Sequence, residues 1–317
     1  MLDFTPAQQP TIYFIGVTTG KSSIMRVFPR WARALGLDGA VIRGFDLPLH
    51  APPEQYRAVV DFMKRDPLSL GALVTTHKLD LFAACRDQFG YVGPYAQKLG
   101  EVSSLFKREG TLCAHAKDPV ACGLAMEHFV PDGFWRDHGG EVLLLGAGGS
   151  ALAMSLHLTQ QKFGDNMPRR IMLVNRSLPR LESAQHILDG LSPRVQFAYK
   201  HQSAPADNDA LIATLPPHSL IVNATGLGKD APGSPTTDAV RYPEHSLVWE
   251  INYRGDLIFM RQAQRQAKER RLHVEDGWVY FIHGWTQVIA EVFDVPIEGG
   301  TLQRLSDIAM ETMGGPK

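Results

Sequence analysis

The sequence predicts an α/β protein made of two successive α/β layers and a helical tail. Three observations predict it. Short apolar runs alternate with stretches whose apolar residues recur at helical spacing. The alternation stops at a polar, glycine-containing stretch, residues 131–140 (PDGFWRDHGG), and then begins again. Several runs in the second half are apolar without interruption, as strands buried on both faces are.

In order along the chain, residues 11–16 (TIYFIG) form an apolar run that ends in glycine, so a strand feeds a loop there. After VTTGKSS, residues Met25, Phe28, Trp31, Ala32 and Leu35 lie on one helical face, and Gly36 stops the helix. AVIRGFDL reads as a strand, PEQYRAVVDFMKR as a helix, and GALVTTHK as a third strand entering a polar loop. Following a short helix, 102–108 and 111–115 pair as strands around the turn Glu109–Gly110. The stretch 131–140 reads as a linker. Beyond it come the strands of EVLLLGAGGS, RRIMLVNRS, VQFAYK, SLIVNATGLG and SLVWEINY, then two helical patterns, WVYFIHGWTQVIAEVF and TLQRLSDIAMETM. The expected division is 1–130, 131–277 and a helical segment 278–317.

Composition narrows the function. The chain has 317 residues, 44% hydrophobic and 21% charged, which suits a packed core and excludes wholesale disorder. Its 32 Lys and Arg against 33 Asp and Glu give a formal net charge of −1, so no electrostatic argument favours nucleic acid or an anionic membrane as partner. The opening MLDFTPAQQP lacks the basic and apolar regions of a secretory signal, and no apolar run reaches the roughly 18 residues of a membrane helix. Cys85, Cys113 and Cys122 are odd in number and lack CxxC spacing, which argues against a disulfide framework or zinc site. With no HExxH or Cys/His cluster, no metal is expected. A cytoplasmic protein acting on a small molecule is the expectation. Nothing in the sequence marks oligomeric state, and a homodimer stays open.

The most informative stretch is strand 141–145, turn Gly146-Ala147-Gly148-Gly149-Ser150-Ala151, then helix. Glycines at 146 and 148 let the backbone bend and approach a pyrophosphate, and the small Ala151 permits close helix–strand packing. The helix N-terminus offers free N–H groups and partial positive charge to the phosphates. A glycine motif alone is weak; the strand–turn–helix setting makes it a dinucleotide site of Rossmann type. At the end of the next strand, where NAD sites carry an acid for the ribose 2′-hydroxyl, this chain has Asn175, Arg176, Ser177 and Arg180. Guanidinium groups pair with phosphate through forked donors, so NADP(H) is the expected cofactor. Asn223, Ala224, Thr225 and Gly226, at the end of a later buried strand, fall beside the nicotinamide half.

With these motifs stand GVTTGKSS, GALVTTHK, LGEVSSL, AHAKDPVACGLA and DGWVYFIHGWTQ, and together they resemble the shikimate dehydrogenase family over nearly the whole length. The resemblance implies a substrate domain, an NADP-binding domain, and helices returning to the first. It adds Gly277 to the cofactor set and places Lys78 and Asp118 where the family's catalytic lysine and aspartate flank the hydroxyl that is oxidised. The pair makes chemical sense: hydride loss from a secondary alcohol needs a positioned base for the hydroxyl proton.

The departures from the family's pattern are as telling. Its asparagine in GxNVT is Leu73, and the loop from Thr75 to Lys78 is one residue shorter and lacks its proline. Its second asparagine is Ser103. Ser22 remains, but the next serine is Ile24 and the following proline Met25. Before the aspartate stand Ala116 and Lys117, with Pro119 after it; the helix glutamine falls at Gly284, with Gln287 nearly a turn later. Ser22, Thr75, Ser103 and Gln287 are the expected substrate contacts. Lys21 and Lys117 are candidate replacements for lost anion contacts, Tyr280, His283 and Trp285 candidate pocket walls, and His77 and His115 candidate proton relays or substrate contacts. Because a buried polar site owes its selectivity to matched partners, these losses argue for a cyclic or polyhydroxy acid other than, or besides, shikimate. A sensor that binds NADP(H) or a metabolite without turnover is the alternative.

Overall fold

The computed structural model describes residues 2–229 and 231–314. The chain divides into two compact units, 2–117 with 284–314, and 118–283, among the described residues.

In the first unit, β1 (Thr11–Gly16), α1 (Ile24–Ala34), β2 (Val41–Asp46), α2 (Pro53–Arg65), β3 (Ser69–Val74), α3 (Lys78–Cys85), β4 (Tyr91–Val92), α4 (Pro94–Leu99), β5 (Ser104–Arg108) and β6 (Thr111–His115) follow one another. Their sheet runs β2-β1-β3-β5-β6-β4. All six residues of β1 are buried, as its position between the parallel neighbours β2 and β3 requires. The sheet is mixed: β3 pairs antiparallel with β5, and β5 with β6. The β5–β6 turn was legible, because Glu109 and Gly110 both take left-handed φ, +50° and +75°, the form that suits a two-residue hairpin. The two-residue β4 is too short to carry a periodic signal, and the sequence pattern does not disclose it. In α1, Val27, Phe28, Trp31 and Ala32 are buried, and Gly36 leaves the helix at φ +69°. The Trp31 indole N–H donates to the Leu305 carbonyl at 2.7 Å.

That bond ties α1 to the C-terminal helices, which return to this unit as expected. The second unit opens with α5 (Asp118–Phe129), then α6 (Phe134–His138), β7 (Val142–Leu145), α7 (Gly149–Leu158), β8 (Arg170–Asn175), α8 (Leu178–Leu188), β9 (Gln196–His201), α9 (Pro205–Ile212), β10 (Leu220–Asn223), β11 (Leu247–Glu250), α10 (Ile258–Gln264), α11 (Ala267–Arg270) and β12 (His273–Glu275). Helix α12 (Trp278–Phe293) begins in this unit and ends in the first, and α13 (Gly299–Met313) belongs to the first. Two details differ from the sequence pattern. The supposed linker holds α6, because Phe134 and Trp135 are buried between two glycines, Gly133 and Gly139, at φ +72° and +65°. Helix α5 joins the second unit rather than the first, because it packs on α7: a Cβ on Gly123 would come within 2.3 Å of the His157 ring. The end of the expected last segment, 315–317, lies outside the described residues.

The second sheet is wholly parallel in the order β12-β11-β10-β7-β8-β9. The chain starts in the middle at β7, moves outward through β8 and β9, then returns to β10 on the other side. That reversal is the Rossmann arrangement, and ligands bind such sheets at the strand C-termini around it. Strands β7, β10 and β11 are buried throughout, which explains their unbroken apolar runs. Leu143, Met172, Ile221 and Val248 share one core with Tyr242 and Phe259.

Candidate functional site

In the second unit, the turn expected to hold the dinucleotide lies at the reversal itself. The Gly146 N–H donates to the Val174 carbonyl at 2.8 Å, and the Ala224 N–H to the Leu145 carbonyl at 2.8 Å. Gly146 has φ +126°, and a Cβ there would sit 2.6 Å from the Ala224 carbonyl oxygen, so only glycine fits. Gly148 is different. Its φ of −90° suits any residue, and no protein atom lies within 4 Å of a Cβ placed on it. The space is open on the side of the α7 N-terminus, where a phosphate would use it. Ala147 and Ala151 are buried, while Gly149 and Ser150 are half-buried. The Tyr280 hydroxyl donates to Ser150 Oγ at 3.4 Å, which sets this residue of α12 against the turn.

At the end of β8, Asn175 Oδ1 accepts from the Ser177 N–H at 2.9 Å, a tight turn that leaves Arg176 exposed. Arg180 is half-buried in α8. Among the described residues, no carboxylate pairs with either guanidinium.

At the ends of β10 and β11 lies a polar network that the sequence pattern did not single out. Glu250 is fully buried and accepts from Asn223 Nδ2 at 2.7 Å and from Asn252 N and Nδ2 at 2.9 and 2.6 Å. Asn223 Oδ1 in turn accepts from the Thr225 N–H and hydroxyl at 3.1 and 2.6 Å. Burial pushes the Glu250 carboxyl up to about 7 against the pull of these donors. Asn223 and Thr225 thus shape the loop 223–227, and their side chains are committed to it. The available signal was a carboxylate directly ending the apolar run LVW. Gly277 has a structural duty: a Cβ there would lie 2.1 Å from the Ile251 carbonyl oxygen.

In the first unit, Thr75, Lys78 and Ser103 come together past the end of β3. The Thr75 N–H donates to Ile15 O at 3.0 Å, the Lys78 N–H to Thr75 O at 3.2 Å, and the Val102 N–H to Lys78 O at 3.2 Å. Ser22 follows the neighbouring β1 and is half-buried, as is Gln287 in α12. His77 is locked: Nε2 lies 3.1 Å from the Leu47 carbonyl and Nδ1 3.0 Å from the Tyr56 hydroxyl. With Nε2–H donating to the carbonyl, Nδ1 accepts from Tyr56. Burial lowers its pKa, which keeps the ring neutral and makes it a support for the short loop before Lys78. Ser103 Oγ is engaged, accepting from the Lys117 N–H at 2.7 Å.

Lys117 is not a free cation. Its Nζ lies 2.7 Å from Glu291 Oε1, which His115 Nδ1 approaches to 2.6 Å, while the Ser104 hydroxyl donates to Oε2 at 2.6 Å. Burial raises the Glu291 pKa, but the bonds from His115, Lys117 and Ser104 outweigh it and hold the carboxyl below the usual range. His115 and Lys117 are thereby turned toward α12. Lys21 is exposed, Trp285 packs edge-on to Phe14 at 5.0 Å, and His283 is buried. Lys78 belongs to the first unit and Asp118, which is 8% exposed at the start of α5, to the second. No group of three or more His, Cys, Asp or Glu among the described residues is arranged to hold a metal ion.

A Rossmann-type sheet with an open glycine turn, joined to a smaller mixed-sheet unit, defines a two-unit α/β protein of the dehydrogenase kind. Curated relatives agree. The chain is 26% identical over 246 residues to shikimate dehydrogenase (NADP(+)) of Symbiobacterium thermophilum, covering 77% of this chain and 76% of that one. It is 25% identical over 275 residues to the enzyme of the same name from Methylobacterium radiotolerans, covering 86% and 88%. No protein-family model matches the chain. The same fold occurs in shikimate 5-dehydrogenase of Thermus thermophilus in complex with NADP(H) and shikimate (TM-score 0.68, 20% identity, 95% and 99% covered). It also occurs in quinate dehydrogenase of Corynebacterium glutamicum in complex with NAD (0.70, 17%, 96% and 99%) and in 5-ketofructose reductase of a Gluconobacter strain (0.66, 16%, 95% and 98%). Over most of its length the chain is similar to proteins named shikimate dehydrogenase (NADP(+)).

Proposed function

We propose that this protein is an NADP(H)-dependent dehydrogenase that reversibly oxidises a secondary hydroxyl of a cyclic or polyhydroxy acid. The observation that carries the reading is the conjunction, on one parallel sheet, of the open Gly148 turn with Arg176 and Arg180 at the end of the next strand, neither of which pairs with a carboxylate among the described residues. These residues fit NADP: the α7 N-terminus takes the pyrophosphate and the two arginines the 2′-phosphate. When bound, the cofactor supplies the hydride acceptor. The protein must then orient the alcohol and handle its proton. Lys78 is assigned the hydroxyl proton, and Asp118 the hydrogen bond that holds the hydroxyl. Leu73 and Ile24 stand where the family carries polar substrate contacts, which supports a preference other than shikimate alone.

Steady-state assays with shikimate, quinate and related hydroxy acids test this, alongside NADPH titration. Lys78→Ala and Asp118→Asn are expected to lower kcat by about 10²- to 10⁴-fold, with NADPH affinity within a few-fold of wild type. Turnover that survives both substitutions rejects the assigned pair. Tight NADPH binding without turnover of any hydroxy acid selects the sensor reading.

A further inference from the structure

We propose that Arg254 takes the carboxylate of the substrate, an inference that rests on the reading of the protein as a hydroxy-acid dehydrogenase. Arg254 lies in loop 251–257, after β11 and on the C-terminal side of the parallel sheet. Ligands of such sheets bind on that side, and the oxidised carbon must meet the hydride acceptor there. The side chain is half-buried, and its Nε is fully buried with no hydrogen-bond acceptor among the described residues. With Nε closed to solvent, the two Nη groups are the part of the fork that a ligand carboxylate can reach, and they carry no carboxylate of the protein's own among the described residues.

The backbone that carries Arg254 is pinned on both sides. Upstream, Asn252 is bonded to the buried Glu250, and the Tyr253 ring lies 4.3 Å from that of Phe281. Downstream, the Asp256 N–H donates to Gly228 O at 2.8 Å, and Gly255, at φ +103°, leaves no room for a Cβ against the same carbonyl. The guanidinium is thus presented by a rigid loop, as a bidentate clamp for a carboxylate should be. Lys117, by contrast, is ion-paired with Glu291, and Lys21 is exposed.

The test compares quinate with its neutral methyl ester in wild type, Arg254→Gln and Arg254→Lys, each also titrated with NADPH and melted. Wild type should prefer the acid. R254Q should raise KM for the acid about 10- to 100-fold and bring acid and ester together, with R254K intermediate and NADPH affinity unaltered. An acid KM unchanged in R254Q overturns the proposal, and R254K decides if R254Q does not fold. Wild type that uses the ester as well as the acid also overturns it, whereas a wild type that turns over no hydroxy acid removes the dehydrogenase reading instead. The dehydrogenase reading falls separately, if wild type fails to bind NADPH.

Discussion

Replacing Gly148 and Gly146 one at a time by alanine separates binding from folding within a single turn. At Gly148 the backbone is extended, φ −90° and ψ −174°, and a methyl group meets no protein atom within 4 Å. Gly148→Ala should therefore fold normally, and a smaller unfolded-state entropy adds about 0.4–1 kcal/mol of stability. The methyl group enters the space proposed for the pyrophosphate. Losing one charge-assisted bond to a backbone N–H costs about 1.5–3 kcal/mol, or roughly 10- to 150-fold in NADPH dissociation constant. Gly146→Ala behaves in the opposite sense. At φ +126° its Cβ would lie 2.6 Å from Ala224 O and 2.9 Å from Ala224 C, both backbone atoms that cannot step aside alone. Conformational strain of about 1–3 kcal/mol adds to that contact, and at about 2–4 °C per kcal/mol the melting temperature should fall by several degrees or more. Fluorescence titration with NADPH and thermal melts of both variants read the two effects. If G148A binds NADPH like wild type, the open space above the turn is not where the pyrophosphate lies. If it melts like G146A, the steric account of the turn is wrong.

Two further outcomes follow from the same unit. Arg176→Ala with Arg180→Ala should weaken NADPH binding about 10- to 100-fold and leave NADH nearly unaffected, measured by parallel titrations; equal losses for both cofactors would remove the 2′-phosphate assignment. Glu250, raised to about 7 by burial, is neutral at low pH in the folded chain, and its contribution to stability is lost as pH rises from about 4.5 to 7. The size is on the order of 3 kcal/mol. Glu250→Gln should flatten stability across that window in denaturant titrations at pH 5, 6 and 7. It should also destabilise the chain at low pH, because its amide meets the Asn223 or Asn252 amide donors. An unchanged pH slope would show that Glu250 does not titrate there.

Much of this was legible one residue at a time. The alternation of strands and helices, the hairpin at Glu109–Gly110, the stop at Gly36 and the turn at Gly146 are local: each depends on residues within a few positions. The Rossmann turn and the end of the following strand could be located for the same reason, since both are contiguous motifs. What stayed hidden has a long-range cause. The short β4 and β12 exist only because a neighbouring strand offers them a ladder. Helix α6 looks polar in sequence yet buries Phe134 and Trp135.

The chain's own sequence determined that it carries two α/β layers and a glycine turn shaped for a dinucleotide, because backbone preference and apolar period are written into consecutive residues. Only the tertiary structure decided which polar side chains are spent and which remain available. Lys117 and His115 are taken by Glu291, some 170 residues away in the chain, and Asn223 by Glu250. Gly148 faces open space while Gly146 is closed by Ala224. The buried Nε of Arg254 meets no acceptor among the described residues. Charge pairing and free volume depend on what long-range folding brings within a few ångströms, and no local pattern encodes that.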